Sequence, residues 1–237
     1  MEVQIAVAKV NKYAVSESGD TLEVIERPGG GISVVLADGQ SSGRGAKAVS
    51  MMVVRKVISL LAEGVRDGAA ARAASDALFA EKGGKVSSTL NIASVDLHTK
   101  TLVLARNNES PVYLARSDEI EKLDQPSKSI GTARNTRPVI TEIPLEPALT
   151  LVIYTDGLVH AGKRRGEPMD VGFTLRGLLE DRDPNPQEIA DSLLAQAMRL
   201  DEGRPADDMS VLVLRVMGRS IEDDPVRRMS LRLPIRV

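Results

Sequence analysis

The hydrophobic pattern opens with a two-residue alternation. Val3, Ile5 and Val7 alternate with polar or small residues, the period of a strand with one buried face. Residues 22–26 lead through Arg27-Pro28-Gly29-Gly30-Gly31 into the apolar run 32–37, which reads as strand, hairpin-like connection and buried strand. Over 45–63 the period changes: Ala46, Val49, Met52, Val53, Val57, Leu60 and Leu61 recur mostly at three and four residues, one face of an amphipathic helix. An alanine-rich second helix is expected over 69–80. Six strand-like runs follow, at 90–95, 101–105, 111–115, 119–123, 139–145 and 149–155. Their mostly short connections suggest an antiparallel meander. A helix over 185–200, with Ile189, Leu193, Leu194, Ala197 and Leu200 on one face, precedes a strongly apolar strand over 209–216.

This order lacks the strict strand-helix alternation of a doubly wound fold. It predicts an α+β protein, with antiparallel sheet and helices packed on the sheet's faces. Residues 1–217 are expected to form one domain and 218–237 an appendage. In the appendage Met229, Leu231, Leu233, Ile235 and Val237 alternate with Ser230, Arg232, Pro234 and Arg236. That reads as a strand which Pro234 confines to an edge: an edge strand or dimer contact, or else an arm that docks substrate.

Composition narrows the class. Apolar residues make up 42% of 237, enough for a continuous core, so disorder is not the main reading. The net charge is −2 with both signs scattered, so no basic face advertises nucleic acid or anionic lipid. The absence of cysteine excludes disulfides, thiolate zinc sites and cysteine nucleophiles, and suits a reducing cytosol. No stretch approaches the ~18 apolar residues of a membrane span. A cytoplasmic protein is expected, with neither nucleic acid nor membrane as partner.

The chemistry lies at strand ends. Asp38 closes the run 32–37, Asp156 closes 149–155, and Asp207 with Asp208 opens 209–216. If the last strand runs antiparallel to the other two, these acids share one end of the sheet. Carboxylates within ~4 Å repel by about 4 kcal/mol per pair at an effective dielectric near 20, so the cluster needs protons or a cation. Oxygen-only ligation favours magnesium or manganese. The bland alternative is that Asp38-Gly39 and Asp156-Gly157 are ordinary Asp-Gly turns.

Asp38-Gly39-Gln40-Ser41-Ser42-Gly43, Thr155-Asp156-Gly157 and Asp207-Asp208-Met209-Ser210 resemble, in order and spacing, the motifs of PPM-type metal-dependent serine/threonine protein phosphatases (protein phosphatase 2C-like), of the SpoIIE-like bacterial branch. Weaker echoes are Gly19-Asp20, Ser88-Thr89-Leu90 and the 108–114 stretch, and the similarity spans about residues 3–216. The resemblance implies a four-layer α-β-β-α sandwich. It also implies two divalent cations, Mn2+ or Mg2+, with Asp38 bridging them, the Gly39 carbonyl on one, and Asp156 and Asp207 on the other. Asp20 would contact a metal directly or through water, and Glu109 would support a third ion. The implied activity is hydrolysis of phosphoserine or phosphothreonine on a protein by metal-activated water. STAS-domain proteins, such as anti-sigma-factor antagonists or stressosome components, are the implied substrates, which places the chain in signalling.

The sequence departs from eukaryotic members at Gln40, where they usually carry His, and lacks a matching early Arg that grips phosphate. Arg44 either orients phosphate or solvates the helix start, Asp208 is given a supporting role, and His98 and His160 are read as loop residues. Two rivals remain: a catalytically inactive phosphatase-fold regulatory or binding module, and a dinucleotide-binding oxidoreductase. The second rests on Gly43-Arg44-Gly45-Ala46-Lys47-Ala48, which satisfies the Gly-x-Gly-x-x-Gly/Ala fingerprint.

Overall fold

The structure, a computed structural model, describes residues 1–116, 119–180, 183–218 and 226–232. In chain order its elements are β1 (Glu2–Val10), β2 (Asp20–Glu26), β3 (Ile32–Gly39), α1 (Gly43–Ala62), α2 (Asp67–Lys82), β4 (Ser88–Asp96), β5 (Thr101–Asn107), β6 (Val112–Arg116), β7 (Glu119–Leu123), β8 (Val139–Pro144), β9 (Thr150–Tyr154), α3 (Asp156–His160), α4 (Val171–Leu179), α5 (Pro186–Leu200) and β10 (Met209–Met217). A single 3-10 turn, Lys163–Arg165, lies between α3 and α4.

The strands form two five-stranded sheets, ordered β1-β10-β9-β6-β7 and β2-β3-β4-β5-β8. All strand pairs among the described residues are antiparallel. Side-chain alternation on β3 explains the layering. Val34 and Leu36 face the other sheet, where they meet Leu212 and Leu214 of β10, while Val35 and Ala37 face α1 and α2. On β10, Met209, Val211 and Val213 instead pack under α5. Strands buried on both faces read as unbroken apolar runs, which is why β3, β9 and β10 lack a visible alternation. The layers therefore run α1/α2, sheet, sheet, α4/α5.

Local sequence sets several helix ends. The α5 N-terminus is a capping box, with Asn185 accepting from the Glu188 amide and Glu188 reaching back, and Pro186 in the first turn. Asp170 caps α4 by accepting from the Phe173 amide at 2.9 Å, and Gly83, in the left-handed region, ends α2.

One expectation is corrected and one rival reading falls. The six runs after α2 are not one meander: β4, β5 and β8 belong to one sheet, and β6, β7 and β9 to the other. A strand's pattern reports burial, not which sheet buries it. The dinucleotide fingerprint falls at the start of α1, but the next strand, β4, is antiparallel to β3, so the parallel β-α-β unit that such a site needs is not formed. No helix among the described residues is long and apolar enough to cross a membrane. Of the alternating run 229–237, residues 229–232 carry no strand and 233–237 lie outside the described residues.

Candidate metal centre

Strand pairing delivers the acids to one end of the sandwich. Asp20 opens β2 and stands in register opposite Asp38, near the end of β3. In the facing sheet, Tyr154 pairs with Val211 across antiparallel β9 and β10, so Asp156, just after β9, and Asp207, just before β10, share an end. The charges sense one another. Burial, followed by the negative charges of Asp20, Asp156 and Asp207, pushes the Asp38 carboxyl up to about 9. Burial likewise raises Asp207, with Asp156 and Asp208 adding to it and Lys12, 3.9 Å away, opposing.

Asp20 is the most enclosed of the four, with no exposed surface. Its Oδ2 accepts hydrogen bonds from Ser210 Oγ at 2.6 Å and Thr155 Oγ1 at 3.0 Å. Those bonds favour the ionised form but do not offset burial, so its pKa is raised. Its Oδ1 is buried and has no hydrogen-bond partner. Thr155 follows β9 and Ser210 lies in β10, so this carboxylate ties the two sheets together where the acids meet. Behind it, Lys9 Nζ and Lys47 Nζ both donate to the Asp20 carbonyl, at 2.6 and 2.9 Å, and Lys47 also donates to Thr21 Oγ1 at 2.9 Å. Lys9 is exposed as a residue, but desolvation of its ammonium lowers its pKa, outweighing the attraction of Asp20. Isolated lysines on a strand and a helix carry no motif, and neither was legible as part of the site.

The Asp-Gly pairs are not hairpin turns. A Cβ at Gly39 would collide with the Ala46 carbonyl of α1, and one at Gly157 with the Asp208 carbonyl. Each glycine lets a second backbone segment close against the acid that precedes it. Asp208, 4% exposed, accepts from the amides of Lys12 at 2.9 Å and Gly19 at 2.8 Å, fastening the β1–β2 connection that ends at Asp20.

The other candidates stand apart. Glu109 is exposed on the β5–β6 connection and is not among the leading charges acting on Asp38. Gln40 is engaged with Ser87, its Oε1 accepting from the Ser87 amide at 2.9 Å. Arg44 is solvated, its side chain 88% exposed beside Glu17. His98 sits in the turn after β4, where its amide donates to Asp96 at 2.8 Å. His160, expected in a loop, instead ends α3, one helical turn from Asp156, with Nδ1 3.9 Å from Oδ2.

These residues fit a hard divalent cation. The donors are all oxygen, one buried carboxylate oxygen of Asp20 lacks a hydrogen-bond partner, and burial together with the neighbouring carboxylates raises the Asp38 carboxyl to about 9. Among the described residues, no three acidic or histidine side chains already converge on one point. The centre is a loose set of acids, firmly backed at Asp20 and open at Asp156 and Asp207.

Comparison with known proteins bears on the family and the fold. Residues 28–217 match the family model described as Stage II sporulation protein E (SpoIIE). The stage II sporulation protein E of Priestia megaterium is 24% identical over 214 residues, 90% of this chain and 36% of that protein. The chain thus spans about a third of that relative's length. Among solved structures, the PP2C phosphatase domain of SpoIIE from Bacillus subtilis, with a fragment of its regulatory domain, superposes with a TM-score of 0.80 at 21% identity, covering 92% of this chain and 64% of that one. The catalytic domain of the serine threonine protein phosphatase PstP, in complex with two manganese ions, gives 0.68 at 18% identity, covering 91% of this chain and 99% of that one. At such identities the likeness shows a shared fold, a two-sheet α+β sandwich.

Proposed function

The chain belongs to the Stage II sporulation protein E (SpoIIE) family, and from that premise we propose that it hydrolyses phosphoserine or phosphothreonine on a protein with two divalent cations, Mn2+ or Mg2+. The observation that carries this reading is that strand pairing brings Asp20, Asp38, Asp156 and Asp207 to one end of the sandwich, where burial and the neighbouring carboxylates raise the Asp38 carboxyl to about 9 and one buried oxygen of Asp20 is unpaired. Asp38, the Gly39 carbonyl, Asp156 and Asp207 would hold the ions, with Asp20 beside Asp38. When bound, the ions supply an activated water and offset charge growing on the phosphoryl oxygens during in-line displacement.

The chain's own residues set the stage for that chemistry. Thr155 and Ser210 hold Asp20 from one sheet, while Lys9 and Lys47 hold its backbone. This fixes the rear of the centre, so the geometry need not be assembled anew at each turnover. Asp208 keeps the β1–β2 connection in place. The front is open: Asp156 and Asp207 side chains are 42% and 38% exposed. An open acidic face, in place of a closed pocket, suits a phosphorylated side chain displayed on a folded protein. For the partner we propose a phosphorylated STAS-domain protein, in keeping with the SpoIIE-like character of the motifs.

The test is hydrolysis of an aryl phosphate, and then of a phosphorylated STAS-domain protein, with manganese, magnesium or chelator, beside Asp38→Asn. Turnover that needs a divalent cation and is lost in Asp38→Asn is expected. Folded, cation-binding protein without turnover on either substrate would sink the enzymatic reading and leave a regulatory or binding module.

A further inference from the structure

One flank of the sandwich is open. β1 and β2 are edge strands of the two sheets, and they stand side by side, with Lys9 of β1 bonded to the Asp20 carbonyl of β2. Val3, Ile5 and Val7 of β1 and Leu22 and Val24 of β2 belong to the inter-sheet core but stay only partly buried, whereas Val34, Leu36, Leu212 and Leu214 in the same layer are at 0–1% exposure. Among the described residues, the side of β2 turned away from β3 pairs with no strand.

The chain itself returns to this flank. Beyond β10, Arg227 reaches the β2–β3 turn, its Nη1 3.6 Å from Glu26 Oε1 and its Nη2 donating to the Gly30 carbonyl at 3.5 Å. Two and four residues further on, Met229 and Leu231 are 76% and 92% exposed, an unusual position for large apolar side chains at strand spacing. The spacing continues in Leu233, Ile235 and Val237.

We propose that the segment beginning at Arg227 pairs with β2 of its own chain as a sixth, antiparallel strand and closes the seam between β1 and β2. With Arg227 opposite Glu26, antiparallel counting places Met229 opposite Val24 and Leu231 opposite Leu22. Residues two apart share a face, so both apolar side chains turn into the seam beside the partly buried residues. Arg228 and Arg232 fall on the other face, diagonal to the exposed Glu23. Charge favours the same match: residues 225–237 hold Arg227, Arg228, Arg232 and Arg236 and no acid, whereas β2 exposes Glu23 and Glu26. The two lysines on the Asp20 carbonyl stop the pairing before it reaches the acids.

The chain has no cysteine, so an introduced pair reports cleanly. In the full chain, Val24→Cys with Met229→Cys is expected to close an intrachain disulfide about tenfold faster than Val24→Cys with Ser230→Cys, whose side chain faces away. Independently, β2 amides should exchange with solvent about tenfold faster in Leu231→Asp than in the unaltered chain, with β4 amides unchanged. Equal closure rates for the two pairs, a disulfide-linked dimer in place of the intrachain form, or β2 amides indifferent to Leu231→Asp would each overturn the proposal. The dimer would assign the seam to a second copy.

Discussion

Replacing Asp208 by alanine removes the acceptor that two amides from the opposite end of the sequence depend on. Gly19 N–H, bonded at 2.8 Å, is buried, and Lys12 N–H, bonded at 2.9 Å, is partly so. A buried donor left without a partner costs about 1–3 kcal/mol. The buried Gly19 amide should cost about 2 kcal/mol and the Lys12 amide, which can recruit water, about 1, for a total near 3 kcal/mol. Removing a negative charge beside Asp20 and Asp207, both raised in part by Asp208, offsets a little of this. Urea unfolding with saturating manganese is the assay. With a slope of about 2–3 kcal/mol/M, the midpoint should fall by about 1–1.5 M. Asp208→Asn keeps one acceptor and should lose about half as much. The adjacent Asp207→Ala, which removes a half-exposed side chain 3.9 Å from Lys12, should change the stability of the metal-free protein, measured in chelator, by no more than about 1 kcal/mol yet lower turnover by ~10²-fold or more. Were Asp208→Ala to unfold within about 0.5 kcal/mol of the unaltered chain, the anchoring role given to this carboxylate would be wrong.

Other perturbations follow from the same geometry. Folded Asp38 titrates near 9 and the unfolded residue near 3.8, so between those values the folded chain holds a proton that the unfolded chain has released. Stability of the metal-free protein should therefore fall as pH rises from about 4 to 9, by at most about 1.4 kcal/mol per unit. Urea midpoints in chelator at pH 6 and 8 check this, and a rising midpoint would refute it. Asp38→Asn should flatten that slope, and saturating manganese should do the same in the unaltered chain, because a cation favours the ionised carboxylate. Gly157→Ala, which would drive a methyl group into the Asp208 carbonyl, should destabilise by about 3 kcal/mol or more. Gly177→Ala, in α4 with open space around it, should instead stabilise by about 0.5–1 kcal/mol, and thermal unfolding of the pair separates the two.

Alternation, three-four spacing, unbroken apolar runs and alanine richness together located β1 to β10, α1, α2 and α5 to within a few residues, because each is a consequence of local backbone geometry and burial. Asp38, Asp156 and Asp207 were legible for a related reason: each stands at the end of a strongly apolar strand, and paired antiparallel strands bring such ends together. The helices between Asp156 and Leu179 were missed, since α3 spans only five residues and α4 nine, too few turns for a period to register. Sheet membership was decided only by the tertiary structure, as a buried strand carries the same pattern whichever sheet accepts it. So were the unpaired oxygen of Asp20, the lysines behind it and the reach of Asp208 to residues 196 and 189 positions away. Hydrogen-bond satisfaction and carboxylate pKa depend on which groups meet in space, and chain neighbours do not record that.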